Sequence, residues 1–160
     1  MAANPVDLLP HRPPFRFVDS VDEVVPGERV VARYRVTGHE AFLPGHFPGN
    51  PVFPGVIQLE ALAQAGAVAV LSDERFTGRL PLFGGVEKAR FRRVVRPGDQ
   101  LVLTVVMERL SARGGWGQAE AVVAGADGGD GRDGRDGDGG GGGGGVSCQA
   151  RLFFAFAPSP

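Results

Sequence analysis

The sequence predicts an α+β fold in which an antiparallel sheet of about six strands wraps around one long buried helix. One stretch, Gly55–Leu71, is almost wholly apolar, and several runs rich in valine and phenylalanine alternate with Pro-Gly and Gly-Gly turn signals. Strands joined by short turns pair antiparallel, and the apolar face of their sheet needs a second layer, which the helix supplies. The 160 residues predict a single domain.

The predicted helix begins at Pro54, whose fixed φ suits a first helical turn, and ends near Ser72. Its apolar residues lie on all sides, which is typical of a helix buried all round. Glu60 in the middle argues against a membrane span. Glu60 and Gln64 are four residues apart, so they share one helix face within hydrogen-bonding reach.

The remaining elements are predicted to be strands and turns. Pro26-Gly27 predicts the turn of a hairpin, and Gly84-Gly85 predicts a bulge or bend inside a longer strand. Residues 97–99 and 113–115 predict two further turns. The predicted strands cover residues 16–25, 28–36, 80–95, 100–110, 116–124 and 146–156.

Residues 125–145 predict neither helix nor strand. Half of the 26 glycines lie in this segment, and it has no large apolar side chain that could offset its ordering entropy. A calcium-binding β-helix repeat and a collagen-like glycine period are two alternatives, but the first occurs once and the second is short and lacks proline. We therefore expect a disordered insertion in a hairpin loop.

Composition narrows the possible locations and partners. The net charge of −1 indicates no general affinity for nucleic acid or for an anionic membrane. Cys148 is the only cysteine, which excludes an internal disulfide and a cysteine-based metal site. The N-terminus has neither the basic region nor the apolar core of a signal peptide, so we expect a cytoplasmic chain.

The candidate chemistry lies at the start of the helix. His46 stands in a loop stiffened by glycine and proline from Gly45 to Pro54, and Glu60 follows on the helix. A rigidly held histidine and a glutamate in apolar surroundings are typical of an acid–base pair. The alternative is structural, in which Glu60 pairs with an arginine or lines a water-filled groove.

Several blocks of the sequence are similar to those of a known family. They are Leu9-Pro10-His11-Arg12, Gly45-His46-Phe47-Pro48-Gly49, Pro54-Gly55-Val56, Leu59-Glu60-Ala61-Leu62-Ala63-Gln64 and Pro97-Gly98-Asp99-Gln100. In this order they resemble the (3R)-hydroxyacyl-acyl-carrier-protein dehydratases of type II fatty acid synthesis, over nearly the whole chain apart from the glycine-rich insertion.

The resemblance implies a hot-dog fold, a homodimer that is commonly assembled as a trimer of dimers, and an active site shared between two subunits. It implies removal of water from a 3-hydroxyacyl thioester carried by an acyl carrier protein, with no cofactor or metal. His46 is implied to take the C2 proton, and Glu60 to donate a proton to the departing hydroxyl. The implied substrate-binding residues are Phe47, Gly55, Val56, Gln64 and Phe83.

Two departures from the family pattern bear on the site. Pro81-Leu82 stand before Phe83, where some members carry tyrosines that gate the tunnel. His39 and Glu40, with His46, could suggest a metal site, but the implied reaction needs no metal. A related branch that also isomerises the double bond uses aspartate as the acid, so Glu60 favours simple dehydration.

A group of basic residues is the predicted docking surface for the acidic carrier protein, with a solvated strand face as the alternative. The group is Lys88, Arg90, Arg92, Arg93 and Arg96. Two other functions remain open. One is an acyl-thioesterase, which the same fold also hosts, and the other is a non-catalytic partner that binds an acyl carrier protein.

Overall fold

The computed structural model describes residues 4–125 and 144–158. Its single α-helix in that part of the chain, α1, spans Gly55–Leu71, as predicted. Pro54 is the N-cap residue rather than part of the first turn, and its carbonyl accepts hydrogen bonds from Ile57 and Gln58. No helix in these two ranges is long and apolar enough to cross a membrane.

Six strands form one antiparallel sheet in the order β1-β2-β4-β5-β6-β3. This architecture confirms the predicted fold. The strands are β1 Ser20–Val25, β2 Arg29–Arg35, β3 Arg79–Phe91, β4 Gln100–Ser111, β5 Gly114–Val123 and β6 Gly145–Pro158.

The helix lies on the inner face of the sheet and contacts all six strands. Every residue from Ala61 to Val70 is buried, and most are alanine or glycine, which lets the strands approach closely. A methyl group added at Gly66 would lie 2.5 Å from the ring of Phe154 on β6. The sequence predicted that the helix is buried on all sides. This prediction is wrong for the first turn, because Val56 is 67% exposed.

Turns connect the strands near the predicted positions. Gly27 has a φ of 71° in the β1–β2 turn and donates its N–H to the carbonyl of Ala69, which ties this turn to the helix. Strand β3 shifts register between Phe83 and Gly85, as the Gly84-Gly85 pair predicted. It shifts again between Glu87 and Arg90.

Strands β1 and β3 are clearly shorter than predicted, and β2 lacks one predicted residue at each end. Before β1, the N–H of Phe17 donates to the side chain of Gln64 instead of to a neighbouring strand. Strand β3 ends at Phe91, although the N–H of Arg92 still donates to the carbonyl of Ser147 on β6. Further along, the carbonyl of Val95 accepts the N–H of Phe53.

The predicted insertion, residues 125–145, lies largely outside the described residues, so its expected disorder stays a prediction. Its last residue, Gly145, belongs to β6 and pairs with Val123 of β5, so the upper bound of the insertion is wrong by one residue. Residues 126–143 therefore connect two neighbouring antiparallel strands.

Candidate active site

Buried aromatic rings hold both ends of the loop that carries His46. Phe42 precedes this loop and Phe53 lies at its C-terminal end, and their ring centroids are 5.9 Å apart. Phe53 is 1% exposed and also packs against Tyr34 and Phe17, at 5.6 and 6.4 Å. The loop is thus anchored to the core on both sides of the histidine.

Glu40 fixes the chain just before this loop. Its carboxylate accepts the N–H groups of Thr37 and Gly38, at 2.8 and 2.9 Å, and the hydroxyl of Tyr34 at 3.0 Å. Burial opposes the charge, but these hydrogen bonds outweigh it and hold the pKa of Glu40 below its ordinary value. The carboxylate of Glu40 is therefore occupied within its own loop.

The described residues do not form the metal site that His39, Glu40 and His46 could suggest in the sequence. His39 is exposed. Within residues 4–125 and 144–158, no three histidine, cysteine or acidic side chains cluster so as to hold a metal ion.

His46 follows a short 3₁₀ helix, Leu43–Gly45, and its ring is fixed by one hydrogen bond. Its Nδ1 lies 2.7 Å from the carbonyl oxygen of Val52. A carbonyl can only accept, so Nδ1 carries the hydrogen and the neutral ring keeps its lone pair on Nε2. The adjacent Phe47 has a φ of 55°, and its ring centroid lies 4.5 Å from that of His46 with the two ring planes inclined at 49°.

A groove of about 490 Å³ opens beside His46. Gln58 lines it and is 2% exposed, and its Oε1 has no hydrogen-bond partner among the described residues. The other lining residues include His46, Phe47, Gly55, Val56, Phe91, Arg92, Arg93 and Val94. The groove is mainly apolar, with polar groups from the histidine and the first helical turn, as a site for an acyl chain requires.

Gly55 lets the groove wall approach the helix. A methyl group there would lie 2.8 Å from the ring of Phe91. Glycine at position 55 is therefore required by the ring of Phe91, which is part of the same chain. The N–H groups of Gly55 and Val56 are the first two of α1, and no acceptor within the described chain takes them.

Glu60 lies one turn further along α1, and its side chain is 19% exposed. Gln64 donates a hydrogen bond from Nε2 to Oε1 of Glu60 at 2.8 Å. The amide of Gln64 cannot be the other way round, because its own Oε1 accepts the N–H of Phe17 at 2.8 Å. The spacing of Glu60 and Gln64 predicted this contact.

His46 and Glu60 are not brought together within one chain. Glu60 lines a separate small cavity of about 30 Å³ with His11, Pro81, Phe83 and Gln64. His46 belongs to the larger groove, and no hydrogen bond or ion pair in the described ranges joins the two candidates. Phe83, predicted to bind substrate, is on the side of Glu60, whereas Phe47 is on the side of His46.

The predicted basic cluster divides into two parts. Arg92 and Arg93 line the groove beside His46, and Arg96 donates hydrogen bonds to Asn50 and Pro51 of the same loop. Arg90 is exposed on β3. Lys88 lies apart, in a second groove with Thr104, Val106, Gln118 and Arg151.

Sequence reasoning gave no role to several residues that line the two cavities. Phe91 and Gln58 line the groove of His46, and His11 lines the cavity of Glu60. The sequence did single out His11, because it belongs to the Leu9-Pro10-His11-Arg12 block that carries the family resemblance. No role was predicted for that block.

Comparisons with known proteins agree with this architecture. A curved antiparallel sheet around one central helix is the hot-dog fold. The dehydratase heterocomplex ApeI:P from Xenorhabdus doucetiae has a similar structure, with a TM-score of 0.69 at 16% identity over 98% of this chain and 93% of that one. Zebrafish thioesterase superfamily member 2 is also similar, with a TM-score of 0.59 at 12% identity over 86% of this chain and 80% of that one.

The family model for the FabA-like domain matches residues 9–129, and the chain belongs to this family. Within it, the chain is similar to the 3-hydroxyacyl-acyl-carrier-protein dehydratase FabZ of Enterococcus faecalis. The two are 55% identical over 119 residues, which cover 74% of this chain and 84% of that protein. The predicted family is confirmed.

Proposed function

We propose that this protein is a hydro-lyase that removes water from (3R)-3-hydroxyacyl chains on an acyl carrier protein and leaves the trans-2-enoyl thioester. The observation that carries the proposal is the hydrogen bond from Nδ1 of His46 to the carbonyl of Val52. It leaves Nε2 as a fixed, unprotonated base beside an apolar groove of the size of an acyl chain.

The reaction begins at C2 of the substrate. The proton there is acidic only when the thioester carbonyl is polarised, and the N–H groups of Gly55 and Val56 are available for this at the positive end of α1. Nε2 of His46 takes the proton, and the negative charge that develops on the thioester oxygen is met by these N–H groups.

The leaving hydroxyl then needs a proton. Gln64 donates to Oε1 of Glu60, so a neutral Glu60 carries its proton on Oε2. That proton passes to the C3 hydroxyl, which departs as water as the C2–C3 double bond forms. The charge left on Glu60 is met by the hydrogen bond from Gln64.

A homodimer brings the two groups to one site in this proposal. Within one chain His46 and Glu60 line different cavities, so a shared tunnel takes its histidine from one subunit and its acid from the other. β3 is an edge strand of thirteen residues, and its exposed apolar side chains give a second copy a surface to cover. These side chains include Leu82, Phe83, Val86 and Phe91. We also propose that three such dimers assemble as a trimer of dimers.

The carrier protein docks on the part of the basic cluster beside the groove. Arg92, Arg93 and Arg96 surround the loop and groove of His46, where an acidic carrier would deliver its acyl chain. Complementary charge of this kind increases the rate of association more than it increases affinity.

The test is incubation of the purified protein with a 3-hydroxyacyl thioester on an acyl carrier protein. We expect ultraviolet absorbance of an enoyl thioester to appear without free thiol, and Glu60→Gln to lower kcat by about 10²–10⁴-fold. The exposed Glu74→Gln is the matched control. Release of free thiol would indicate a thioesterase instead, and neither product would indicate a carrier-binding protein without catalysis.

A further inference from the structure

A second histidine faces the candidate acid. Nε2 of His11 lies 3.6 Å from Oε1 of Glu60, and both side chains line the same small cavity. Nδ1 of His11 is buried without a hydrogen-bond partner among the described residues. Nε2 faces the carboxyl group of Glu60, which accepts hydrogen bonds, and this favours the tautomer with its hydrogen on Nε2.

The backbone that carries His11 is held on both sides of the residue. Leu9 is fully buried, and Arg12 donates from Nη1 to the carbonyls of Leu9 and His11, at 2.5 and 2.8 Å. Further along, the amide of Gln64 binds the N–H of Phe17. The segment that carries His11 is thus fastened to the same helix as Glu60.

His11 and Gln64 converge on one oxygen of Glu60. Gln64 donates to Oε1 at 2.8 Å, and His11 approaches that same atom. Oε2 is then the oxygen that exchanges a proton with the substrate. Donors that already face the opposite oxygen stabilise the carboxylate as it forms, without reorganisation during the reaction.

We propose that His11 is a positioning residue for Glu60, whose Nε2–H stabilises the carboxylate that remains after proton donation. The proposal rests on the proposed function of Glu60 as the acid. The distance of 3.6 Å is longer than a hydrogen bond. The contact shortens in the substrate complex, as contacts of catalytic groups in ligand-free structures commonly do.

The experiment compares His11→Phe, which keeps a ring, with His11→Gln, whose amide can reach Oε1 of Glu60. Because the interaction strengthens only as charge develops, we expect His11→Phe to lower kcat about tenfold with KM within about twofold. His11→Gln should recover at least about half of the wild-type kcat. His39→Phe, at an exposed histidine, is the matched control and should behave as wild type.

Should His11→Phe fail to fold, His11→Asn replaces it, because the shorter amide is polar but does not reach Oε1. Three results would overturn the proposal. They are an unchanged kcat in His11→Phe, an effect confined to KM, and equal losses of kcat in the Gln and Phe (or Asn) variants. If the wild type forms no enoyl thioester, it is the proposed function that fails. An active wild type with an inactive Glu60→Gln and an unaffected His11→Phe rejects the role of His11 alone.

Discussion

At the scale of single residues, a small number of hydrogen bonds fix the groups that do chemistry. Val52 fixes the tautomer of His46, and Gln64 fixes the orientation of Glu60. Glu40 has a comparable role for the backbone, since its two oxygens accept two consecutive N–H groups at the start of the histidine loop. The order of this loop therefore depends on a negative charge outside the site.

This dependence predicts a pH-sensitive contribution to stability. The folded pKa of Glu40 lies below its ordinary value of 4.5, so its stabilisation is complete above that pH and is lost as pH falls through the folded pKa. Glu40→Gln, with one acceptor for two N–H donors, should unfold at a lower temperature than wild type near pH 7. The difference should shrink below about pH 4.5 in thermal unfolding followed by circular dichroism.

A difference in unfolding temperature that stays constant down to about pH 3 would contradict this role. Glu74→Gln is the control, because Glu74 is exposed and should show no difference at either pH.

The residues of the site differ in how far sequence alone could predict them. His46 and Glu60 were identified by their positions, and the contact with Gln64 follows from the helical repeat. His11 could not be placed, because it meets Glu60 only when an irregular N-terminal segment folds onto α1. Local periodicity carries no information on such a contact.

At the scale of elements, the helix was the easiest to predict. Pro54 stands before its first residue, and a run that is apolar apart from Gln58, Glu60 and Gln64 fixes its length. The start of β1 and the end of β3 were not predictable from the sequence. Outside these strands, the N–H of Phe17 donates to the side chain of Gln64, and the carbonyl of Val95 accepts the N–H of Phe53. The short 3₁₀ helices, such as Leu43–Gly45, have no periodic signal of their own.

Close packing between helix and sheet gives a prediction for Gly66. In Gly66→Ala the new methyl group would lie 2.5 Å from the buried ring of Phe154, so ring or helix must move. We expect a loss of about 1–3 kcal/mol in the free energy of unfolding, measured with denaturant. Gly45→Ala, where nothing lies within 4 Å, is the matched control and should change this free energy by less than about 0.5 kcal/mol. Equal values for the two variants would contradict the packing described here.

At the scale of the whole molecule, the distribution of basic residues decides where a carrier protein can dock. Charge reversal at Arg92 and Arg93 should lower kcat/KM for carrier-bound substrate about tenfold at low salt, and less at high salt, because screening weakens the attraction. Lys88→Glu makes the same kind of change in a different groove and should have little effect.

A small thioester that needs no carrier protein is the second control for this prediction. Its turnover should be unchanged in the Arg92 and Arg93 variants. An equal loss with both substrates would reject the docking role and point to damage in the groove itself.

Residues 126–143 are predicted to be dispensable. The strands on either side already pair at Val123 and Gly145, so an Asn-Gly turn can join them. Replacement should leave turnover and assembly unchanged and raise the free energy of unfolding by about 1–2 kcal/mol, because a shorter loop loses less entropy. Lost turnover, measured with the same thioester substrates, would show that the segment contributes to the site or to a partner.

In the enzyme we propose, two chains together build each active site. The family resemblance implied a site shared between two subunits, and the separate cavities of His46 and Glu60 within one chain support this arrangement. His46→Ala and Glu60→Ala homodimers should each be nearly inactive. When the two are co-expressed, mixed dimers hold one site with both changes and one intact site. With random pairing, about half of the dimers are mixed, so about a quarter of the wild-type rate of enoyl thioester formation should return. Mixed dimers that form in these proportions and recover no activity would contradict the claim.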